Sequence, residues 1–175
     1  EKGMTIREVL RTAFDSMYAM EQQMLELYDK MGDASPEELD KMMNTVGEIQ
    51  SELEHSGFYS LDSKIEEFAN GLGLGSIGLD KDVSELSGGQ RSKVLLTKLL
   101  LQNSQILLLD EPTNYLDVEH IEWLTKFLQN YEHAFILISH DIPFLNKVVN
   151  VIYHLENCER TRYSGDYDKF QEMYA

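Results

Sequence analysis

The chain has 175 residues, with 31 Asp or Glu against 15 Lys or Arg, so its net charge at pH 7 is -16. This length is enough for one domain with a substantial core and a subdomain beside it. The acidity excludes a free-standing nucleic-acid binder, because phosphate backbones attract Lys and Arg. The single cysteine, Cys158, excludes an internal disulfide. Because no apolar run reaches the length of a membrane span and no secretory signal opens the chain, the sequence predicts a cytoplasmic protein.

Two helix-start signals open the chain. A capping box at Thr5 precedes apolar residues that recur at helical spacing up to Gly32, which predicts one long first helix. Ser35, followed by proline at the first helical position, predicts a second helix that ends before Gly57. Because the link between them is short, the two helices are expected to form an antiparallel hairpin over about residues 5–56.

The surface of this hairpin is expected to be strongly acidic. Between Asp15 and Glu54, its only Lys or Arg residues are Lys30 and Lys41. Its acids are Asp15, Glu21, Glu26, Asp29, Asp33, Glu37, Glu38, Asp40, Glu48, Glu52 and Glu54. Most of these charges are interpreted as a solvated face. The methionines at helical spacing are interpreted as core packing rather than as a binding surface.

A short helix and a glycine-rich stretch follow the hairpin. Residues 61–70 have helical character, and Gly73, Gly75 and Gly78 then match the spacing G-x-G-x-x-G. The stretch follows a helix, whereas a dinucleotide fingerprint follows a strand. The glycine-rich stretch is therefore interpreted as a connector.

The next helix begins at a candidate anion site. Ser87 is a good N-cap, Gly88 and Gly89 follow it, and an apolar run from Val94 to Leu101 continues the helix. The first N–H groups of a helix point outward, and glycines allow a phosphate to approach them closely. Since Ser-Gly-Gly before a helix is also common in ordinary loops, this motif alone leaves both interpretations open.

An apolar strand with an acidic end follows that helix. Ile106 to Leu109 is a continuous apolar run, typical of a strand buried on both faces, and Asp110 and Glu111 come directly after it before Pro112. At the carboxyl end of a parallel strand, one carboxylate can hold Mg²⁺ while its neighbour polarises an attacking water. The alternative is a charged strand end in solvent.

A second strand brings a histidine toward these acids. Residues 118–131 predict an amphipathic helix, and Ala134 to Ile138 predicts the next buried strand. His140 stands at the carboxyl end of that strand, so it is expected near Asp110 and Glu111 at the same edge of the sheet. A lone histidine is usually structural, but this position favours a functional role.

Three short elements complete the chain. Residues 142–148 predict a helix, and residues 149–155 are expected to pair with residues 159–163 as an antiparallel hairpin at the edge of the sheet. Residues 166–174 then predict the last helix.

Four ordered blocks resemble motifs of the ATP-binding-cassette (ABC) ATPases. Leu86-Ser87-Gly88-Gly89-Gln90 resembles the signature, Ile106 to Glu111 resembles Walker B, Asn114 to Asp117 resembles the D-loop, and Ser139-His140-Asp141 resembles the switch histidine. Within that family, the block from Glu111 to Asp117 and the closing block from Tyr163 to Phe170 are most similar to the ABC-F branch.

The resemblance implies a fold and a division of the chain. The fold class is α/β: a partial P-loop NTPase sheet of the ABC cassette with its helices, plus an inserted α-helical hairpin. Residues 1–86 would form a helical subdomain with an arm-like hairpin. Residues 87–175 would form the C-terminal part of the ATPase core.

The resemblance also implies residue roles, with ATP and Mg²⁺ as cofactors of the intact protein. The signature residues Ser87, Gly88, Gly89 and Gln90 would bind the γ-phosphate of ATP held by a second cassette. Asp110 would order Mg²⁺, and Glu111 would act as the catalytic base. His140 would contact the γ-phosphate, and Asp117 would link the two ATP sites.

The Walker A pattern G-x-x-x-x-G-K-[ST] does not occur in the sequence. The chain therefore resembles the later part of a cassette, and by itself it is expected neither to hydrolyse ATP nor to bind it tightly. The partners implied for the parent are a second cassette, in the same chain or in a dimer, and the ribosome. The acidity of the arm favours a protein contact there over rRNA.

Two alternatives remain open at this point. The chain could come from the ATP-binding subunit of an ABC transporter, which would need membrane-domain partners, or it could be an inert helical and α/β module. The helical insertion and the two ABC-F blocks favour a translation factor or ribosome-protection ATPase over both alternatives. DNA-repair cassettes share a signature but carry far longer coiled coils than residues 5–55.

Overall fold

The computed structural model describes residues 3–174. Residues 1–2 of the predicted helical subdomain and residue 175 of the predicted ATPase part lie outside this range. The helices are α1 (Ile6–Arg11), α2 (Asp15–Met31), α3 (Pro36–His55), α4 (Leu61–Gly71), α5 (Gly88–Leu101), α6 (Val118–Gln129), α7 (Ile142–Val148) and α8 (Tyr167–Tyr174). The strands are β1 (Ile106–Asp110), β2 (Ala134–Ile138), β3 (Val151–Glu156) and β4 (Glu159–Ser164).

The first predicted helix is broken into two. α1 ends at Arg11, a 3₁₀ turn covers Thr12–Phe14, and α2 then begins, so the prediction of one continuous helix was wrong. The Thr12 hydroxyl donates a hydrogen bond to the Val9 carbonyl, and such local side-chain bonds bend helices. Phe14 leaves the helical region, with φ -120° and ψ 24°, and buries its ring in the core.

The predicted hairpin is present as α2 and α3, which pack against each other across a link at residues 32–35. Ser35 caps α3 as expected: its hydroxyl accepts from the Glu38 amide at 3.4 Å, and a Glu38 carboxylate oxygen accepts from the Ser35 amide at 3.0 Å. α3 buries Val46, Ile49 and Leu53, whereas no residue of α2 is fully buried. Most of the hairpin surface is therefore solvated.

One hydrophobic cluster joins residues from both sides of the predicted boundary at 86/87. α5 packs against both α1 and α4, and β1 and α6 extend the same cluster. Its fully buried members include Ile6, Leu10, Ile65, Leu100, Leu107 and Leu124. The helical region and the strands thus share a core, which fixes the signature helix α5 relative to the strand that follows it.

β1 and β2 form a parallel pair, as predicted, with Ile106 opposite Ala134 and Asp110 opposite Ile138. The expectations that β1 is buried on both faces and that β2 is a buried strand were wrong. Leu107 and Leu109 point into the core, but Ile106, Leu108, Ile136 and Ile138 are each between 58% and 64% exposed. Among the described residues, the helices cover one face of this pair, and an apolar run cannot show from sequence alone how many faces are covered.

β3 and β4 form the predicted antiparallel hairpin, with Val151 opposite Ser164. They make a separate two-stranded sheet within residues 3–174, so the expectation that they lie at the edge of the first sheet was wrong. α8 packs on this hairpin through Phe170, which contacts Tyr163 with ring centroids 4.9 Å apart. The hairpin packs half-buried residues of one face against a helix of its own, which accounts for its independence.

Across residues 3–174, no helix combines the length and the apolar character that crossing a membrane requires.

Candidate functional site

The signature residues form a capped and solvent-exposed helix start. Ser87 is the N-cap of α5: its hydroxyl accepts from the Gln90 amide at 3.2 Å, and the Gln90 side-chain oxygen accepts from the Ser87 amide at 3.0 Å. Gly88 is exposed, and a Cβ added there would meet no atom within 4 Å. The first turn therefore offers backbone N–H groups and the positive end of the helix dipole to an anion in front of it.

Gly89 has a steric role that the sequence did not reveal. A Cβ added at this position would lie 2.9 Å from Cδ1 of Tyr115, so the D-loop tyrosine occupies the space beside the signature. Tyr115 adopts a left-handed backbone, with φ 68°, although this region favours glycine. The contact joins the signature to the D-loop within one chain. Tyr115 lies within the block that resembles the D-loop, but a sequence pattern cannot place its ring.

The two strand ends bring Glu111 and His140 together. The Glu111 amide donates to the Ile138 carbonyl at 2.8 Å, which extends the parallel pairing one residue past β1. The His140 amide donates to Oε2 of Glu111 at 3.3 Å, and Nε2 of His140 lies 3.5 Å from Oε1 of Glu111. The His140 side chain is 98% exposed and the Glu111 side chain 25%. The carboxylate is thus held in place while the imidazole faces solvent.

Glu111 has an oxygen available for chemistry. Its Oε1 atom is buried and accepts no hydrogen bond from any described residue. The residue also has φ 48°, a strained conformation that the neighbouring strand end maintains. A buried carboxylate oxygen without a donor is costly unless a water or a ligand supplies one. This atom is therefore suited to receive a proton or a hydrogen bond from a bound water.

The donor set fits Mg²⁺ bound together with a phosphate ligand. Asp110 and Glu111 supply carboxylate oxygens, which Mg²⁺ prefers. Among the described residues there is no group of three or more Asp, Glu, His or Cys side chains that could hold a metal ion. Mg²⁺ would therefore have to complete its shell with waters and phosphate oxygens, as it usually does in phosphoryl-transfer sites.

A cavity of about 290 Å³ lies between α5 and β1 and ends at these acids. Its lining includes Lys93, Leu96, Leu108, Asp110 and Tyr115. Leucines of α5 and β1 form most of the wall between helix and strand, with Ser92 and Lys93 of α5 beside them, and the strand end is polar. It connects the exposed face of β1 to the acids and the D-loop.

Asp117 lies at the end of the D-loop. It is the N-cap residue of α6, with φ -76° and ψ 165°, it makes no side-chain capping hydrogen bond, and it is exposed. The structure therefore brings Glu111 to His140 and Gly89 to Tyr115. Within residues 3–174, no hydrogen bond or ion pair joins Ser87 to the strand-edge residues or to Asp117.

A parallel strand pair with two carboxylates at the end of β1, a histidine beside them and a serine-capped helix start with two glycines define part of an ATP-binding cassette. The family model described as "ABC transporter" matches residues 4–114, and the chain belongs to that family.

Two curated relatives illustrate the match. The "Uncharacterized ABC transporter ATP-binding protein YfmM" of Bacillus subtilis (strain 168) is 63% identical over 174 residues, covering 99% of this chain and 34% of that protein. The "Energy-dependent translational throttle protein EttA" of Mycobacterium tuberculosis (strain ATCC 25618 / H37Rv) is 38% identical over 136 residues, covering 78% of this chain and 24% of that protein. The chain thus spans about a third or less of the length of these relatives.

Solved structures agree on the fold. "Structure of ATP binding subunit of ABC transporter" superposes with a TM-score of 0.61 over 99% of this chain and 57% of that one, at 16% identity. A complex of the archaeal ribosomal stalk protein aP1 with the archaeal ribosome recycling factor aABCE1 gives a TM-score of 0.52 at 27% identity, over 71% of this chain and 25% of that one. The chain therefore has a partial ABC cassette fold.

Proposed function

We propose that the intact protein is an ATPase of the ABC-F type that couples ATP binding and hydrolysis to action on the ribosome. The observation that carries the ATPase part is the contact between Glu111 and His140, together with a buried Glu111 oxygen that accepts no hydrogen bond from the described residues. The ribosome part is supported by the helical hairpin ahead of the signature and by the similarity to EttA, whose name assigns it an energy-dependent role in translation.

In this proposal each site residue has one task. Mg²⁺, when bound with ATP, neutralises charge that develops on the phosphate oxygens. Asp110 holds it through the exposed carboxylate at the end of β1. Glu111 would accept the proton of the attacking water at Oε1, and His140, whose backbone amide donates to Oε2 of Glu111, would contact the γ-phosphate.

The signature would act on a nucleotide held by a second cassette, in the same chain or in a dimer. Ser87 and Gln90 fix the helix start by bonding each other, so the N–H groups of Gly88 and Gly89 keep their direction. Such prearranged donors stabilise phosphate charge without reorganisation during the reaction. Asp117, free of capping bonds at the start of α6, would reach toward the other site.

The exposed sheet face accounts for the expected inactivity of this chain alone. Ile106, Leu108, Ile136 and Ile138 form an apolar surface on β1 and β2, and we propose that a Walker A segment, absent from this sequence, covers it in the intact protein. Without the phosphate-binding loop and its lysine, the remaining residues cannot position ATP. Purified on its own, this chain is expected to show no ATP turnover. Turnover that Glu111→Gln abolishes would contradict this.

The hairpin is proposed to contact a ribosomal protein. Its charge, with the bases Lys30 and Lys41 against the eleven acids named above, opposes direct binding to rRNA phosphates. A basic protein surface would complement it. A ribosomal partner also implies that the intact protein works in the cytoplasm.

A second candidate function is the ATP-binding subunit of a membrane transporter. Two findings favour it: the matching family is described as "ABC transporter", and the relative YfmM is named an ABC transporter ATP-binding protein. A transporter subunit would bind membrane-domain partners and would not associate with ribosomes. Ribosome binding therefore separates the two candidates.

The test is co-sedimentation of the intact protein with ribosomes in the presence of ATP. Glu111→Gln, which removes the base but keeps the shape, should accumulate on ribosomes, whereas wild type should be released after hydrolysis. Glu132→Gln is the matched control, because Glu132 is exposed in the loop before β2, and it should behave as wild type. Absence of all three proteins from the ribosome pellet would favour the transporter function.

A further inference from the structure

The glycine-rich stretch after α4 fits closely against the start of α6. Cβ atoms added at Gly71 and Gly73 would lie 2.5 Å from Nε1 of Trp123 and 2.6 Å from Nε2 of His120, respectively. Gly73 has φ 80°, a conformation that other residues rarely adopt. The two glycines are therefore positions where α6 side chains and the loop backbone come together without space for a methyl group. The stretch is more than a connector.

A hydrogen bond accompanies this steric fit. Nδ1 of His120 lies 3.0 Å from the Gly71 carbonyl oxygen. Because a carbonyl only accepts, the Nδ1 atom carries the proton and donates it. Gly71 is the last residue of α4, where helix carbonyls lack partners within their own helix. His120 thus satisfies the end of one helix from the first turn of another.

Aromatic packing continues the contact along α6. The Phe68 ring lies edge-on to Trp123, with centroids 5.3 Å apart, and Trp123 stacks on Phe127 at 5.6 Å. Phe68 also meets Phe127 at 5.4 Å. Phe68 belongs to α4, so two successive turns of α6 are held by the same helix.

The same contacts bear on the D-loop. α6 begins directly after Asp117, and His120 lies in its first turn. The preceding part of the D-loop is fixed by the Tyr115 ring against Gly89. The D-loop is therefore held at one end by the signature and at the other by α4.

We propose that His120 is a positioning residue for Asp117. The hydrogen bond from His120 to the Gly71 carbonyl and the contact of the His120 ring with Gly73 determine where the Asp117 carboxylate lies. Trp123, packed against Gly71 and Phe68, helps to hold α6 in the same position. This inference rests on the proposed function for its kinetic consequence, since Asp117 is there assigned to link two ATP sites. The placement of the D-loop itself does not depend on that function.

The test compares variants that differ in the Nδ1 donor. His120→Asn keeps an N–H at that position, whereas His120→Leu removes it. His55→Leu is the matched control, because Nδ1 of His55 lies 2.7 Å from the Ser51 carbonyl within α3, away from the D-loop. The first measurement is amide hydrogen exchange on this chain.

In the exchange experiment, the informative amides are Leu116 and Ile121, which donate to Thr113 and Asp117 at 3.1 and 2.9 Å. Their exchange should be about tenfold faster in His120→Leu and should return to the wild-type rate in His120→Asn. The amide of Arg91 in α5 should not change. Equal exchange of Leu116 and Ile121 in wild type and His120→Leu would overturn the proposal, whatever the protein does with ATP.

The second measurement is the ATP dependence of turnover by the intact protein. If the two sites are linked through Asp117, His120→Leu should bring the Hill coefficient to about 1 while His120→Asn and His55→Leu keep the wild-type value. A loss of folded protein would scale the whole curve without changing its steepness. An unchanged Hill coefficient in His120→Leu would overturn the kinetic part. A wild type without turnover would instead contradict the proposed function and leave the exchange result to decide the positioning role.

Discussion

The close fit of Gly71 against Trp123 gives the sharpest stability prediction: Gly71→Ala should destabilise the chain although alanine is the better helix former. In a helix interior, alanine for glycine usually gains about 0.5–1 kcal/mol. At Gly71 the new methyl would overlap the Trp123 indole, with Nε1 2.5 Å away. Overpacking of this kind costs about 1–3 kcal/mol. The net expectation is a loss of about 1 kcal/mol in the free energy of unfolding.

Gly47→Ala is the control for this prediction. Gly47 lies within α3, and a Cβ added there meets no atom within 4 Å, so only the gain in helix propensity applies. For a chain of this size, 1 kcal/mol corresponds to about 2–4 °C in Tm. Gly71→Ala should therefore lower Tm by a few degrees and Gly47→Ala should raise it.

Thermal unfolding followed by circular dichroism measures both variants. Trp123 is the single tryptophan of the chain, so its emission should also shift in Gly71→Ala and stay unchanged in Gly47→Ala. An equal gain in Tm for the two variants, with no change in emission, would refute the contact between α4 and α6.

Three further predictions concern the cap, the sheet and pH. Ser87→Ala should cost about 1 kcal/mol in chemical denaturation, because it removes the α5 cap. Leu107→Ala should lower the free energy of unfolding by about 2–5 kcal/mol, because Leu107 is buried. Leu108→Ala, on the exposed face of the strand, should lower it by less than about 0.5 kcal/mol. Hydrogen bonds from the Ser84 hydroxyl and amide lower the pKa of Asp82. The stability that the ionised Asp82 gives to the folded chain is therefore present above the ordinary aspartate range and is lost as pH falls through the lowered pKa. An NMR titration that finds no lowering of this pKa would contradict the prediction.

Local patterns predicted most of the elements. The helix starts predicted at Thr5, Ser35 and Ser87 all form, each as a capping box, because such a cap is decided by side chains and amides within three residues. The parallel pairing of β1 and β2 is also confirmed, since short apolar runs joined by a helix favour it. The turn between β3 and β4 has left-handed φ at Asn157 and Cys158, the conformation that two-residue hairpin turns require.

The failures share a cause, which is that burial depends on residues far away in the chain. Ile106 and Leu108 read as core residues, yet no described element covers their face of the sheet. The break at Thr12–Phe14 arises because Phe14 turns toward a core formed by later helices. The spacing of apolar residues continues through this turn, so the sequence pattern does not show the break in the helix.

The proximity of Glu111 and His140 was predictable from the sequence, whereas the side-chain contacts around the D-loop were not. Strand register alone places His140 beside Glu111, because parallel strands end at the same edge. The ring of Tyr115 over Gly89 and the bond from His120 to Gly71 depend on side-chain direction across distant segments. Neither has a local sequence pattern, so only the structure shows them.

The central claim is that the edge formed by Asp110, Glu111 and His140 belongs to an ATP-hydrolysing site, and steady-state ATP turnover by the intact protein with Mg²⁺ tests it most directly. Glu111→Gln should reduce kcat by about 100-fold or more, because the proton acceptor is lost. Glu132→Gln, at an exposed position before β2 and so at the opposite end of that strand from His140, should keep the wild-type rate. Equal turnover by wild type and Glu111→Gln would contradict the assignment of this edge as the hydrolytic site.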